Sequence, residues 1–172
     1  MKAISAARFL KVDHAGEHGA VNIYAGQIWL ARHTAPDMVA ELRVFLDHEM
    51  SHRARFAAEL VRRGERRCRS FHLCGIGGLL LGLLTGLCGR SAIAATTLAV
   101  ERVVLRHLRQ QLDAIGDQDP KAWQVIASIV DEECQHHDTA ADSLRQGTIW
   151  SALLQPIVAM ATEAVIWLGM KI

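Results

Sequence analysis

Hydrophobic residues recur every three or four positions along most of this chain, the period of α-helices that bury one face. Four segments carry this pattern at lengths that suit helices packed in a bundle. They run over about 3–32, 37–63, 92–115 and 121–146. Pro36 and Pro120 stand next to the second and fourth starts, where proline is favoured in a helix. The pattern predicts an all-α protein built on a four-helix bundle.

The segment over about 70–89 is apolar along most of its length and lacks the polar face of the bundle helices. Its residues 73–89 consist mostly of Leu, Ile and Gly and carry no charge. Five arginines crowd the region from 62 to 69, and basic residues beside an apolar segment attract anionic lipid headgroups. The 17 residues from 73 to 89 include six glycines and are marginal for a membrane span. We therefore expect a helical hairpin or short helix that dips into one leaflet of a membrane. A buried core helix is the alternative.

A last apolar segment covers about 149–170, and Pro156 and Glu163 within it favour packing on the bundle or lying at a membrane interface. Residues 1–172 together are the size of one domain. Hydrophobic residues make up 51% of the chain, which indicates that some apolar surface meets something other than water. The net charge of +1 gives no global field for nucleic acid.

Four separated cysteines indicate a reducing compartment. The opening residues Met1–Ser5 lack the apolar core of a signal peptide. We expect a complete, cytoplasmic chain of bacterial type.

Polar residues interrupt the apolar stripes of the four bundle helices in a repeated way. Two helices carry a Glu-x-x-His motif, whose two side chains share a face, and the other two carry a lone Glu. The six residues are Glu17, Glu49, His52, Glu101, Glu133 and His136. In each half of the chain the lone Glu lies 32 residues before the Glu of the motif (49 − 17 and 133 − 101). Such a set is typical of the ligands of di-iron or di-manganese carboxylate bundles.

Charge supports a metal site at these six residues. Four carboxylates and two neutral imidazoles carry −4, which two divalent ions would balance, whereas the same charge without metal would oppose folding of an apolar bundle. Histidine ligands usually donate their second N–H to a carboxylate. The candidates for that partner are Glu132, Asp131 and Asp138, and we favour Glu132, with His52 as its histidine. His48 is expected at the surface or behind the ligands.

Two features flank this site. Tyr24 follows Glu17 by two helical turns and should share its face, either beside the metals or as a core residue. Apolar Val104, Leu105 and Leu108 follow Glu101 and could wall the site against water.

Several stretches resemble the demethoxyubiquinone hydroxylases, which act late in ubiquinone biosynthesis. The likeness is most specific in Val12–Ala20 (VDHAGEHGA) and continues in Ile23–Gln27 (IYAGQ). It extends through Glu49–His52, the apolar segment, 99–101, 131–138 and 162–168. The resemblance implies a ferritin-like, peripheral inner-membrane monooxygenase. With two Fe²⁺ ions, O2 and NADH, it would hydroxylate the ring of a polyprenyl quinone or quinol.

By the same resemblance the six metal candidates match the iron ligands one for one, and His107 matches a histidine near the substrate. His107 follows Glu101 by six residues, so it flanks the site and could bind a ring oxygen or serve only structure. Leu108 departs from the family, since animal members have a tyrosine there.

The resemblance also implies the cytoplasmic side of a bacterial inner membrane and a possible ubiquinone-biosynthesis complex. The alternatives are a membrane quinol oxidase of the alternative-oxidase type, a ferritin-like iron-binding protein and a non-catalytic quinone-binding protein. The Asp-His-Ala-Gly-Glu block disfavours the first, the apolar segment disfavours the second and the intact ligand set disfavours the third.

Overall fold

A computed structural model describes residues 5–144 and 149–172, and nearly all of this part is helical. The helices are α1 (Ala6–Thr34), α2 (Val39–Arg62), α3 (Phe71–Cys88), α4 (Arg90–Ile115), α5 (Pro120–Ala127), α6 (Val130–Ser143) and α7 (Ile149–Lys171). Short 3-10 turns at Pro36–Met38 and Gly116–Gln118 precede α2 and α5. The described residues contain no strand, which confirms the all-α class. The expected first residues of α1, 3 and 4, and the expected end of the fourth bundle helix near 146 lie outside the described residues.

Helices α1, α2, α4 and α6 make up the bundle around the site, with α3 packed on α1 and α7 packed on α4. Two apolar clusters fill the bundle at different levels. One includes Phe9, Leu10, Phe56, Leu60, Leu108, Ile115 and Ile126. The other includes Tyr24, Ile28, Leu42, Phe45 and Ile93. Glu17, Glu49 and Glu101 each lie between residues of the two clusters along their own helix, so the polar site is enclosed by core at both ends.

The fourth bundle helix is not continuous, and the prediction of one helix over 121–146 is wrong in this respect. It breaks at Ser128 and Ile129 into α5 and α6. The Ser128 hydroxyl donates to the carbonyl of Val125 at 2.8 Å, a local bond by which serine competes with the helical backbone. Trp123 in α5 is 41% exposed, and the neighbouring Ala122 and Ile126 occupy the buried positions.

Helix α4 begins earlier than the sequence predicted. Gly89 precedes it with a φ of 83°, a left-handed conformation that favours glycine, and Arg90 is already helical. Ser91 therefore lies within the first turn of the helix and does not cap it.

Glycines allow α3 to lie unusually close to α1. A Cβ atom built on Gly78 would lie 2.3 Å from the carbonyl oxygen of Gly19, and one on Gly82 would lie 2.2 Å from that of Ile23. No side chain fits at either position without separating the helices. The apolar segment is thus one helix docked on α1, not a hairpin, and its glycines bring backbone against backbone.

The outer faces of α3 and α7 are apolar and exposed. Leu80 and Leu84 on α3 are 57% and 64% exposed, and Ile157 and Met160 on α7 are 57% and 67% exposed. Only 33% of the apolar stretch of α3 and 6% of that of α7 are buried. The buried-core alternative therefore does not describe α3. Both helices are long and apolar enough to cross a membrane by length and composition alone.

Candidate metal centre

The six side chains predicted from the repeated motif meet in the centre of the bundle, and all are 5% exposed or less. They form two overlapping groups whose ligand atoms lie within 4.8 Å of one another. The first group is Glu17, Glu49, His52 and Glu133, and the second is Glu49, Glu101, Glu133 and His136. Each group contains one histidine and one carboxylate of its own, and Glu49 and Glu133 belong to both. This arrangement would suit two cations, one at each group, with Glu49 and Glu133 within reach of both.

Both histidines turn their Nδ1 atoms toward the carboxylates. His52 Nδ1 lies 2.9 Å from Glu133 Oε1, 3.7 Å from Glu17 Oε2 and 3.8 Å from Glu49 Oε2. His136 Nδ1 lies 3.2 Å from Glu49 Oε1 and 4.0 Å from Glu101 Oε1. The i to i+3 spacing within each Glu-x-x-His motif produces this convergence, because it sets both side chains on the inner face of one helix.

The Nε2 atoms of the two histidines contact other side chains on the side away from the carboxylate cluster. His52 Nε2 lies 2.6 Å from Oε2 of Glu132, the residue predicted as its partner. His136 Nε2 lies 3.0 Å from Nδ1 of His48, which lies behind the ligands as one of the two expectations had it. Such contacts fix the ring orientation and leave each Nδ1 free for a cation.

Burial and mutual repulsion dominate the electrostatics of the cluster. Burial, with the nearby charge of Glu133, raises the pKa values of Glu17, Glu49 and Glu101 well above the ordinary value. Burial also pushes the pKa of Glu133 upward, but its hydrogen-bonding contacts with His52 and Glu101 outweigh burial, and the pKa is lowered. Burial, with the charges of His48 and His52, lowers the pKa of His136 to about 4. Protons and divalent cations therefore compete for the same oxygens.

The donor set fits a pair of hard or borderline divalent cations. Glu49 Oε1, His52 Nδ1 and His136 Nδ1 are buried and, although other cluster atoms lie 2.9 to 3.2 Å away, none of them makes a well-aligned hydrogen bond within the described part of the chain. Buried polar atoms are rarely left without partners, so three of them converging on one point indicate that something else binds there. Oxygen and imidazole donors without a thiolate favour iron or manganese over softer metals.

Tyr24 combines the two alternatives that the sequence left open, a core residue and a neighbour of the metal candidates. Its ring is 2% exposed and contacts Phe45 edge to face, so it is a core residue. Its hydroxyl donates a hydrogen bond of 2.9 Å to Glu101 Oε1, so it also touches the cluster. Burial, with the charge of Glu101, raises the pKa of Tyr24 well above its ordinary value and keeps the phenol protonated.

A cavity of about 300 Å³ opens beside the cluster, between α1, α3, α4 and α7. Its lining includes the cluster carboxylates Glu17, Glu49, Glu101 and Glu133. It also includes apolar residues of the two outer helices, among them Leu73, Leu81, Val158, Val165 and Ile166. The metal candidates and apolar residues of α3 and α7 thus border the same cavity.

The residues that line the cavity match those predicted from the sequence only in part. Val104 and Leu108 line the cavity, whereas Leu105 is buried elsewhere and does not. His107 lines it and flanks the cluster, as its spacing from Glu101 predicted. Of the α3 glycines, Gly77 and Gly78 line the cavity, whereas the α1 backbone occupies the space next to Gly82.

Three polar residues near the cavity were missed from the sequence. Glu163 on α7 has Oε2 2.9 Å from His107 Nε2, and the signal for it was a carboxylate inside an apolar run. Asp13 and Gln111 line the cavity and are joined by a hydrogen bond of 2.9 Å. Asp13 lies one turn before Glu17 on the same helix face, which could have placed it beside the cluster.

Comparison with known proteins agrees with this geometry. Residues 5–169 match the family described as "Ubiquinone biosynthesis protein COQ7". The 3-demethoxyubiquinol 3-hydroxylase of Rhodospirillum rubrum is 36% identical over 167 residues, covering 96% of this chain and 77% of the relative. The mitochondrial NADPH-dependent 3-demethoxyubiquinone 3-hydroxylase of Mus musculus is 33% identical over 166 residues, covering 94% and 76%. That of Homo sapiens is 30% identical over 169 residues, covering 96% and 77%. With a match over almost its whole length, this chain belongs to the COQ7 family of ubiquinone biosynthesis proteins.

Proposed function

We propose that this protein hydroxylates the ring of a demethoxyubiquinone- or demethoxyubiquinol-type polyprenyl quinone with O2, as a step of ubiquinone biosynthesis. The observation that carries the proposal is one cavity lined both by apolar residues of α3 and α7 and by four buried carboxylates. The ring of a polyprenyl quinone would lie in this cavity beside the cluster, with its tail against the apolar residues. The names of the bacterial and mammalian relatives describe hydroxylation of such rings.

We propose that the two groups of ligands bind two iron ions per chain. Glu17 with His52 would hold one ion and Glu101 with His136 the other, and Glu49 and Glu133, which belong to both groups, would be available to both ions. A bound ferrous pair would supply the activation of O2. Four carboxylates and two neutral imidazoles balance the charge of two divalent ions. Glu132, behind His52, would keep that imidazole in the orientation that the site requires.

The residues around the ring would have separate tasks. Val104 and Leu108 line the approach to the cluster and would exclude water from it. His107 would donate to or accept from a ring oxygen with the nitrogen that Glu163 leaves free. Tyr24 would hold Glu101 through its phenolic hydrogen bond without titrating at neutral pH.

The reductant is proposed to be a reduced nicotinamide nucleotide. The resemblance implied NADH, whereas the names of the mouse and human relatives specify NADPH. Parallel turnover assays with the two nucleotides at equal concentration would decide between them for this protein.

The apolar faces of α3 and α7 are proposed to hold the protein on the cytoplasmic side of a bacterial inner membrane, as a peripheral protein. Leu80, Leu84, Ile157 and Met160 would enter the acyl region, and the arginines before α3 would contact anionic headgroups. Other proteins of a ubiquinone-biosynthesis complex are proposed as its binding partners.

Quinone analysis of a strain that lacks this protein tests the proposed step. Mass spectrometry should find a precursor that lacks one methoxy group in place of ubiquinone, and the restored gene should reverse the change. A normal quinone profile with altered respiration would instead favour a quinol oxidase. Altered iron storage with normal quinones would favour a ferritin-like role.

A further inference from the structure

The two ligand histidines have different partners on the side away from the carboxylate cluster. His52 Nε2 lies 2.6 Å from Oε2 of Glu132. His136 Nε2 lies 3.0 Å from Nδ1 of His48, and these two rings are nearly parallel, with centroids 5.2 Å apart. One ligand histidine is therefore paired with a carboxylate and the other with a second imidazole.

His48 is placed to accept the Nε2 hydrogen of His136. A neutral imidazole has one N–H, so a cation at Nδ1 of His136 requires the hydrogen on Nε2. His48 Nδ1 then accepts that hydrogen, which leaves His48 with its own hydrogen on Nε2. His136 is fully buried, and within residues 5–144 and 149–172 no other side chain hydrogen-bonds its Nε2. The hydrogen-bonded orientation of this ligand thus depends on His48.

A carboxylate supports a cation more strongly than an imidazole does in this position. Hydrogen bonds to a charged acceptor are roughly twice as strong as those between neutral groups. The charge of Glu132 also acts on a cation through His52, which is fully buried. Arg55 lies 3.6 Å from the same oxygen of Glu132, but its side chain is 37% exposed, so water screens its charge more. The group that contains His52 should therefore attract a cation more strongly.

The carboxylates that belong to only one group differ in the same direction. The Tyr24 hydroxyl donates to Glu101 Oε1 at 2.9 Å. Such a bond lowers the basicity of the carboxylate, and a less basic oxygen is a weaker ligand. Tyr24 is the only tyrosine of the chain, so Glu17, the matching carboxylate of the other group, has no phenol partner.

Resting on the proposed binding of two cations, we propose that His48 is the positioning residue of His136 and that the two sites fill in order. The group that contains His52 takes the first cation, and the group that contains His136 takes the second more weakly. Glu49 and Glu133 belong to both groups, so the difference arises from the residues that the groups do not share.

Binding of Mn²⁺ to the metal-free full chain in detergent tests this order. Titration calorimetry should resolve two steps whose affinities differ by about tenfold, the lower end of what a partner behind a ligand histidine contributes. Electron paramagnetic resonance gives an independent readout. One equivalent of Mn²⁺ should give the hyperfine spectrum of isolated ions, and the second equivalent should replace it with the spectrum of magnetically coupled pairs.

Variants of His48 should act on the weaker step alone. His48→Leu removes the acceptor behind His136 and should weaken that step by about 10 to 100-fold, while His48→Gln keeps an acceptor oxygen and should restore most of it. His48→Glu places a carboxylate behind His136, so it should strengthen the weaker step and bring the two affinities together. Asp47→Asn, at the exposed neighbouring position on α2, is the matched control and should keep both steps.

Glu132→Gln should weaken the stronger step instead. Equal affinities for the two ions in the unaltered protein, or coupled pairs from the first equivalent onward, would overturn the order of filling. Weakening of the same step by His48→Leu and Glu132→Gln would overturn it too, and an unchanged weaker step in both His48→Leu and His48→Glu would remove His48 from its role. Failure of the proposed function gives a different result, namely two unequal steps without hydroxylated product, which leaves the order of the sites standing.

Discussion

Glu132 Oε2 lies 2.6 Å from Nε2 of His52, on the side of the imidazole away from the ligand carboxylates. Arg55 contacts the same carboxylate at 3.6 Å, and this pairing with His52 and Arg55 outweighs the effect of burial and lowers the pKa of Glu132. An ionised Glu132 accepts a hydrogen bond from the Nε2–H of His52 and so favours the tautomer in which Nδ1 is free to bind a cation. The pairing was predicted from the sequence, and its effect on the metal remains a prediction.

Glu132→Gln should therefore weaken the site without abolishing it. Loss of a partner behind a ligand histidine typically costs about 10 to 100-fold in metal affinity or activity. Iron affinity, measured anaerobically by competition with a chelator, checks the effect. Asp131→Asn is the control, because Asp131 is the exposed neighbour on the same helix. Equal affinities in the two variants would remove Glu132 from this role.

Glu133 belongs to both groups of ligands, so Glu133→Ala should affect both ions. We expect the iron content per chain to fall well below that of the unaltered protein and turnover to be lost. Elemental analysis after anaerobic loading measures this directly. Asp142→Ala, at an exposed carboxylate of the same helix, should bind iron normally. Full iron occupancy in Glu133→Ala, or a single zinc in the unaltered protein, would contradict the ligand assignment.

The repeat of a lone Glu and a Glu-x-x-His motif predicted the site because ligand chemistry restricts residue type and the helix fixes spacing. The all-α class followed from the hydrophobic period for a similar reason. The break at Ser128 and Ile129 did not follow, because a local hydroxyl bond decided it against an otherwise helical pattern. Gly78 and Gly82 allow α3 to lie against the backbone of α1. The sequence of α3 alone does not show which helix packs against it, so this contact could not be predicted.

Tyr24 is the only tyrosine of the chain, so its ionisation can be followed by the tyrosinate absorbance of the whole protein. Burial and the neighbouring Glu101 charge raise its pKa above the ordinary value of 10.0. As pH rises, the absorbance should appear only above that value, or together with unfolding followed by circular dichroism. Tyr24→Phe should show no such absorbance. Ionisation of the folded protein at the ordinary pKa would contradict the buried contact with Glu101.

Membrane binding should depend on the exposed face of α3. Replacing Leu80, Leu84 and Leu87 with Ser removes apolar side chains that are 57% to 64% exposed, so the fold should persist while binding weakens. Sedimentation with vesicles containing anionic lipid measures the bound fraction. Val61→Ser is the control, since Val61 is an apolar side chain that is 78% exposed and belongs to α2, not to α3. Equal sedimentation of all three proteins would exclude α3 as the contact.

Transfer of oxygen from O2 to the ring is the central claim, and isotope labelling tests it most directly. Purified protein in detergent, loaded with iron and supplied with reductant and a demethoxyquinol, would be exposed to ¹⁸O₂ and its products analysed by mass spectrometry. The geometry of the cavity and the cluster predicts a hydroxylated ring that carries one labelled oxygen atom. Label found only in water, with the quinol oxidised but not hydroxylated, would contradict the account and identify a quinol oxidase.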